Sequence, residues 1–151
     1  MEYVRVHTTP ARNEIDPLPY LDVLPELAPR LPPGAREFAT DPDHYDFYSQ
    51  RCVKDLALER ITINEGDAYI ELGFRHNCWK HEEDLTIRYQ GVTHYESTVS
   101  TGVIAWSVLV LDEILPHPDG CRYEMALNSG FVALTCQDLT ATWTEAICPD
   151  K

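Results

Sequence analysis

The sequence is short of basic residues, and this shortage argues against one large class of functions. Twelve lysines and arginines stand against 25 aspartates and glutamates, which gives a formal net charge of −13. After Lys80 the remaining basic residues are Arg88, Arg122 and Lys151. A field of this sign repels phosphate backbones, so we expect no binding to nucleic acid. It would instead speed association with a basic partner, in a salt-dependent way.

Long apolar segments are also missing. No run approaches the ~18 consecutive apolar residues that suggest a membrane-spanning helix. Residues 1–14 lack the continuous apolar stretch that signal peptides carry. We therefore expect no contact with a membrane, no signal peptide and a cytoplasmic location.

The sequence lacks the local motifs of several enzyme classes. It has no Cys-x-x-Cys pair, which would mark a thioredoxin-like site or a zinc ribbon. It also has no G-x-S-x-G elbow, Walker loop or dinucleotide-binding fingerprint. The five cysteines are widely spaced: Cys52, Cys78, Cys121, Cys136 and Cys148. In a reducing cytoplasm we expect them to be free thiols packed as small apolar residues. We predict no cofactor and no catalysed reaction.

The residues that are present predict a mainly β domain. An apolar content of 44% and a charged content of 25% are typical of a globular protein. Ala68–Phe74 and Leu85–Tyr89 alternate apolar and polar residues, as half-buried strands do. We predict a single domain over residues 1–151, in which residues 51–146 form an antiparallel meander. The meander would close as a sandwich or a flattened barrel.

Residues 1–50 are predicted to form a proline-rich arm packed on the sheet. Seven of the eleven prolines lie between Pro10 and Pro33. Their missing amide donors and fixed φ angles argue against a central strand or a long helix in this segment. Interspersed apolar residues predict that the arm is part of the domain, with a short edge strand at its start. One short helix could be capped by Thr40 or Asp41, so at most one or two short helices are expected.

Three strands are predicted within Ala105–Trp143. Val108–Leu111 is an unbroken apolar run, which suggests a central strand covered on both faces. A turn at Ser129-Gly130 would place Tyr123 opposite Cys136. A bridge between Cys121 and Cys136 would need a different register.

An earlier hairpin is predicted from a change in the apolar pattern. A tip at Glu65-Gly66 places Ile61 opposite Ile70. The parity of the apolar positions changes near Arg60, which predicts a β-bulge there. After Leu85–Tyr89, residues 92–96 could continue the strand beyond a kink at Gly91.

The densest group of potential ligands lies in residues 75–84, RHNCWKHEED. His76, Cys78 and His81 could offer two imidazoles and a thiolate to Zn²⁺, or a histidine-activated thiolate for catalysis. The spacing matches no recognised zinc signature. A metal-dependent or thiol enzyme centred on these three residues is therefore an alternative function. A small-molecule binder that uses the concave face of the sheet is a second alternative.

Acidic and aromatic residues in the loops favour a protein-binding surface. Aromatic side chains in or beside loops often anchor partners, and carboxylates would attract a basic protein surface. The predicted partner-binding residues are Asp41, Asp43, Tyr45, Tyr48, Trp79, Glu82 and Glu83. The leading hypothesis is an acidic cytoplasmic module that binds a basic protein.

Three segments resemble small β-meander proteins of bacteria: DLALERITINEGDAYIEL, DLTIRYQGVTHYES and SGFVALTCQDLTATW. The resemblance covers residues 54–144 and lies in the strand pattern and turn placement. Some of those proteins are grouped with the immunity proteins of polymorphic toxin systems. The resemblance thus implies binding and neutralisation of a partner without catalysis. It brings no catalytic or ligand motif, and the proline-rich arm departs from it.

Overall fold

A computed structural model describes residues 1–9, 12–99 and 107–148. These residues hold ten β-strands, two α-helices and a 3₁₀ turn at Ala28–Arg30. In chain order the elements are β1 (Arg5–Thr9), β2 (Arg12–Asp16), α1 (Leu18–Leu27), α2 (Pro33–Thr40), β3 (Ala57–Asn64), β4 (Tyr69–Arg75), β5 (Glu83–Gln90), β6 (His94–Ser97), β7 (Leu109–His117), β8 (Gly120–Leu127), β9 (Gly130–Cys136) and β10 (Asp138–Glu145). Neither helix of the described chain is long and apolar enough to cross a membrane.

The strands form three antiparallel sheets. β1 and β2 make a separate hairpin, and the two larger sheets have the strand orders β10-β5-β4-β3 and β6-β9-β8-β7. Large buried side chains from both sheets meet in one core, among them Phe74, Tyr89 and Tyr123. The described strands do not close into a barrel, and their packing is consistent with a sandwich. The predicted mainly β class is therefore confirmed.

The chain passes between the two large sheets at Gly91 and at Gln137. Gly91 has a φ of 62°, which glycine adopts without strain. A Cβ atom at this position would also lie 2.5 Å from the Gln137 side chain. The prediction that residues 92–96 extend the preceding strand is wrong, because β6 joins the other sheet beside β9.

β7 is an edge strand, contrary to the prediction that Val108–Leu111 is central. Its start instead connects the two sheets, through a bridge between Ala57 and Val108. Leu109 and Leu111 are buried, whereas Val110 is only half-buried. The run Val108–Leu111 therefore alternates half-buried and buried residues and is not covered completely on both faces. The preceding positions 100–106 of the predicted loop and strand lie outside the described residues.

β8 and β9 pair two residues away from the predicted register. The turn lies at Asn128-Ser129, so Leu127 faces Gly130 and Cys121 faces Cys136. A shift of two residues leaves every side chain on its predicted face. The burial pattern was therefore predictable, although the cross-strand partners were not.

The β3–β4 hairpin shows the same two-residue difference. Ile61 faces Leu72 and not Ile70. The predicted bulge is confirmed, because the register shifts between Leu58 and Arg60.

The N-terminal arm is more regular than its prolines suggested. Pro19 lies in the first turn of α1, and Pro25 lies inside this helix. α2 begins at Pro33, and the Asp138 carboxylate accepts hydrogen bonds from the amides of Gly34 and Ala35 at 3.0 and 2.9 Å. This contact binds the arm to β10.

The predicted helix after Thr40 or Asp41 is wrong. Thr40 ends α2 and Asp41 is its C-cap, after which residues 42–51 run through consecutive turns. The Asp41 carboxylate accepts the Asp43 amide at 2.9 Å, so it organises a turn and does not begin a helix.

Candidate functional site

Two distant segments are packed together at one end of the sandwich. The turn segment 41–55 follows α2, and the loop 76–82 joins β4 to β5. Arg51 pairs with Glu83, with a nitrogen–oxygen distance of 2.7 Å. The His81 ring lies 2.7 Å from the Cys52 carbonyl oxygen. We call the surface formed by residues 41–55, 76–84 and 145–148 the loop end.

Two predicted aromatic residues of the loop end stand in solvent. Tyr48 is 97% exposed and Trp79 is 85% exposed. Their backbones are nevertheless held in turns. The Asp46 carboxylate accepts the Tyr48 amide at 3.0 Å, and the Asn77 side chain accepts the Trp79 amide at 3.0 Å. The two rings are thus presented to solvent by hydrogen-bonded backbone.

Phe47 lies close to lysines of both segments. The Lys54 and Lys80 ammonium groups lie 5.7 and 6.0 Å from the centroid of the Phe47 ring. Both lysines also pair with Asp55, at 2.9 and 3.3 Å. Partial burial works to raise the pKa of Asp55, but the hydrogen bonds and charges of the two lysines outweigh it and lower that pKa. These basic groups are therefore matched by carboxylates.

The predicted carboxylates lie on the same end of the molecule. Asp41 and Asp43 are half-buried in the turn segment, and Glu82 is exposed. Glu83 is neutralised by Arg51. Arg51, Lys54 and Lys80 are all paired, and the loop end holds more carboxylates than basic side chains, so the carboxylates set the sign of the local field.

Tyr45 does not belong to this surface. It is buried, and its hydroxyl donates to the Asp112 carbonyl oxygen at 3.1 Å. Its ring stacks on His44 with 4.2 Å between centroids. Burial raises the pKa of Tyr45 well above its usual value. A buried ring cannot anchor a partner, so the structure does not support Tyr45 as a partner-binding residue.

Trp79 also lines a groove with residues from the other end of the chain. Ile147, which is 88% exposed, shares this groove with Trp79, Cys78 and Val108. The segment after β10 is held there because the Ala146 amide donates to the Glu82 carbonyl oxygen at 3.1 Å. The groove therefore combines exposed apolar groups with the paired carboxylate of Asp55 and with Arg75.

The three predicted metal ligands are not brought together as a site. His81 is fully buried, and its Nδ1 accepts the Asn77 amide at 3.0 Å. Nε2 therefore carries the proton and donates it to the Cys52 carbonyl oxygen. Burial lowers the pKa of His81. Both ring nitrogens are occupied by the fold, which argues against His81 as a ligand.

Cys148 takes the place that the sequence analysis gave to His81. It forms a disulfide with Cys78, 70 residues away, with the Cα atoms 5.7 Å apart. One ligand atom from each of His76, Cys78 and Cys148 lies within 4.8 Å of the other two. The pairing of Glu145 with Glu83 delivers Cys148 to this loop. The proximity of Cys148 to Cys78 could have been predicted only from the pairing of β10 with β5.

The other three cysteines are free and buried, as predicted. The expectation of free thiols is wrong for Cys78 and Cys148. Cys121 and Cys136 face each other with 3.7 Å between sulfur atoms. The hydrogen bond to Cys136, together with burial, raises the pKa of Cys121 far above its usual value. Cys121 is therefore held in the unreactive thiol form.

A polar cluster that sequence analysis missed lies in the core. His44 and Asp112 are fully buried, with 2.7 Å between Nε2 and Oδ2. His44 Nδ1 lies 2.9 Å from the Phe38 carbonyl oxygen and must donate to it. The Tyr123 hydroxyl also donates to Asp112 Oδ2. Asp112 Oδ1 has no hydrogen-bonding partner among the described residues.

Glu113, the next residue, faces the opposite side of β7. Its carboxylate accepts the amides of Tyr3 and Val4 at 2.9 and 3.0 Å. Adjacent residues of a strand face opposite sides of it, so Asp112 and Glu113 cannot act together. Each carboxylate instead serves a separate structural contact.

Comparison of the sequence with protein-family models and with curated proteins found no match. The resemblance to bacterial β-meander immunity proteins stays a prediction.

Proposed function

We propose that this protein is a non-catalytic binding module that docks a basic protein on its loop end. The observation that carries the proposal is the pair Tyr48 and Trp79. Both rings are almost fully exposed, yet each is held by a hydrogen-bonded turn on two segments that are packed together.

Exposed aromatic rings of this kind suit a protein interface. A buried aromatic ring removes about 150–250 Å² from water, and aromatic residues dominate the binding energy of many interfaces. Tyr48 and Trp79 contribute little burial to this fold. Their fixed backbones would reduce the entropy that a partner must overcome on binding.

The charge of the chain indicates the sign of the partner. The net charge is −13, and the basic residues Arg51, Lys54 and Lys80 of the loop end are paired with carboxylates. Exposed Glu82 and the half-buried Asp41 and Asp43 would face a partner. Complementary charge mainly raises the association rate, and salt reduces this effect.

The resemblance to immunity proteins adds a specific form of this proposal. The partner would then be a basic toxin-like protein whose activity is blocked on binding. The proposed address is the cytoplasm. The Cys78–Cys148 disulfide would be transient there, because reducing systems keep cytoplasmic thiols reduced.

The alternative functions have less support. A thiol enzyme centred on His76, Cys78 and His81 would lose one of its members, because both ring nitrogens of His81 are already bonded within the fold. For a small-molecule site on the concave face, the inner faces of the large sheets already carry buried side chains such as Tyr89 and Leu72.

The test begins with affinity capture from the native cells at about 0.05 M salt, where the Debye length exceeds 10 Å. The captured protein is then purified and titrated against wild type, Tyr48→Ala, Trp79→Ala and Glu82→Lys. We expect a basic partner, with each aromatic substitution weakening binding by at least about 10-fold, as interface anchors do. Glu82→Lys should slow association.

Ile63→Ala is the matched control. Ile63 is an exposed apolar residue, 56% accessible, and lies at the far end of β3 from the loop end. It should leave binding unchanged. Equal binding by wild type and Trp79→Ala, or recovery of no basic protein at low salt, would contradict the proposal.

A further inference from the structure

We propose that reduction of the Cys78–Cys148 disulfide creates a Zn²⁺ site formed by Cys78, Cys148 and His76. This site goes beyond the proposed protein binding and does not depend on it. Its ligand set differs from the one that the sequence suggested, because Cys148 replaces His81.

The three side chains have the right separation for a shared metal. A ring nitrogen of His76 and the sulfur atoms of Cys78 and Cys148 already lie within 4.8 Å of one another. Tetrahedral zinc, with bonds of about 2.3 Å to sulfur and 2.0–2.1 Å to nitrogen, holds such atoms about 3.5–3.8 Å apart. Once the S–S bond is broken, the two sulfur atoms need only separate to that distance.

The fold brings the ligands together without help from the disulfide. His76 directly follows β4, and Cys78 is two residues further on. Cys148 lies three residues after β10, whose last residue pairs with Glu83 at the start of β5. The hydrogen bond from the Ala146 amide to the Glu82 carbonyl oxygen continues this ladder. The cluster should therefore persist after reduction.

His76 is prepared for ligation by its neighbour Asp84. One Asp84 carboxylate oxygen accepts hydrogen bonds from His76 Nδ1 at 2.7 Å and from the His76 amide at 2.8 Å. This places the proton on Nδ1 and leaves the lone pair of Nε2 for a metal. A carboxylate behind a histidine is the usual second contact of a zinc-bound imidazole.

The chemistry of the donors selects zinc. Two thiolates and an imidazole suit Zn²⁺, whereas Mg²⁺ and Ca²⁺ prefer oxygen ligands. A cellular dithiol is the reductant. Its two thiols supply two electrons and two protons, the S–S bond breaks, and the dithiol becomes a disulfide. Zn²⁺ then displaces the protons of Cys78 and Cys148 into solvent, and water takes the fourth position.

The test compares oxidised protein with protein reduced by a phosphine. Zn²⁺ is titrated in competition with a chromophoric chelator, and Co²⁺ is used as a spectroscopic probe. We expect equimolar Zn²⁺ binding and a thiolate-to-cobalt charge-transfer band in the reduced protein, with neither in the oxidised protein.

Variants then identify the ligands. Cys148→Ser and His76→Gln should abolish equimolar binding, and Asp84→Asn should weaken it about 10–100-fold. Cys136→Ala, a buried free thiol, and His94→Gln, an exposed imidazole, are the controls and should bind as wild type does. All chains are compared after reduction, so a missing covalent link cannot explain a difference.

Zinc binding of equal strength by Cys148→Ser, or a reduced wild-type protein that binds no Zn²⁺, would overturn the proposal. Circular dichroism checks that each variant is folded. If Cys148→Ser does not fold, Asp84→Asn decides, because unchanged zinc affinity in this variant would also contradict the assigned geometry.

Discussion

The buried pair His44–Asp112 should be a principal determinant of stability. The perturbation is Asp112→Asn, which preserves the shape of the side chain and removes its charge. In the wild type, Oδ2 of Asp112 accepts hydrogen bonds from both His44 and Tyr123 in a fully buried site. Because His44 Nδ1 must donate to the Phe38 carbonyl oxygen, a second proton lies between Nε2 and the carboxylate.

Removal of the carboxylate leaves two poor outcomes for His44. Either both ring nitrogens stay protonated with no buried counter-charge, or the ring loses a proton, the new amide donates its N–H to Nε2, and the Tyr123 hydroxyl loses its acceptor. Breaking a buried charge pair costs about 3–5 kcal/mol. This is a large part of the roughly 5–15 kcal/mol that stabilises a typical domain. For a chain of this size, the midpoint of thermal unfolding should fall by about 6–20 °C.

The assay is urea unfolding followed by circular dichroism, with Asp67→Asn in an exposed turn as the control. The control should change the free energy of unfolding by less than about 0.5 kcal/mol. His44→Gln and the double variant complete a double-mutant cycle, and we expect a coupling of about 0.5–3 kcal/mol. A loss below about 1 kcal/mol for Asp112→Asn, or additive single variants, would refute the reasoning.

Three further predictions concern other buried groups. Burial lowers the pKa of His81, so just below pH ~6.5 the unfolded chain binds more protons than the folded protein does. The free energy of unfolding should therefore decrease as the pH falls through this range. His81→Asn should flatten this pH dependence in urea unfolding measured at several pH values. Glu113→Gln should cost about 1–3 kcal/mol in urea unfolding, because Oε2 accepts the amides of Tyr3 and Val4, Oε1 accepts that of Glu2, and glutamine replaces one of these two acceptors by a donor. The native Cys121 thiol should resist alkylation that labels it in urea, and rapid labelling of the native protein would contradict its raised pKa.

The strand pattern could be predicted because side-chain alternation is a local property. Alternation assigns each residue to a face, and a register error of two residues leaves that assignment unchanged. This is why the Cys121–Cys136 pairing was missed while the burial of both residues was expected. The turn at Asn128-Ser129 fixes the register, and two adjacent two-residue tips satisfied the same pattern.

The buried polar contacts could not be predicted because they join distant parts of the chain. Asp112 follows an apolar run, and its partner His44 lies 68 residues earlier in a turn segment. The disulfide likewise depends on the pairing of β10 with β5, which closes the first sheet with the last strand. The spacing of residues along the chain therefore predicts neither the His44–Asp112 contact nor the Cys78–Cys148 disulfide. The exposure of Tyr48 and Trp79, by contrast, could be expected because aromatic residues in polar loops are a local signal.

Two predictions were wrong for a shared reason: β7 was expected to be central, and Tyr45 was expected to bind a partner. Both follow from the edge position of β7. An edge strand exposes unpaired backbone groups, which natural proteins cover or block. Here the Tyr45 hydroxyl donates to the Asp112 carbonyl oxygen, and the Tyr20 hydroxyl donates to that of Ile114 at 2.7 Å. Two residues apart on one strand, these carbonyls lie on the same edge.

The arm and the turn segment thus cover the open edge of β7. A central strand would have been paired on both sides and would have needed no such cover. Tyr20 comes from α1 and Tyr45 from the turn segment, so each tyrosine is committed to the fold by its hydroxyl as well as by its ring. α2 covers β10 in a comparable way through Asp138. Tyr48, three residues after Tyr45, has no such role and remains 97% exposed. Within one turn segment, the fold therefore uses one tyrosine and leaves the other exposed, where we propose that it contacts a partner.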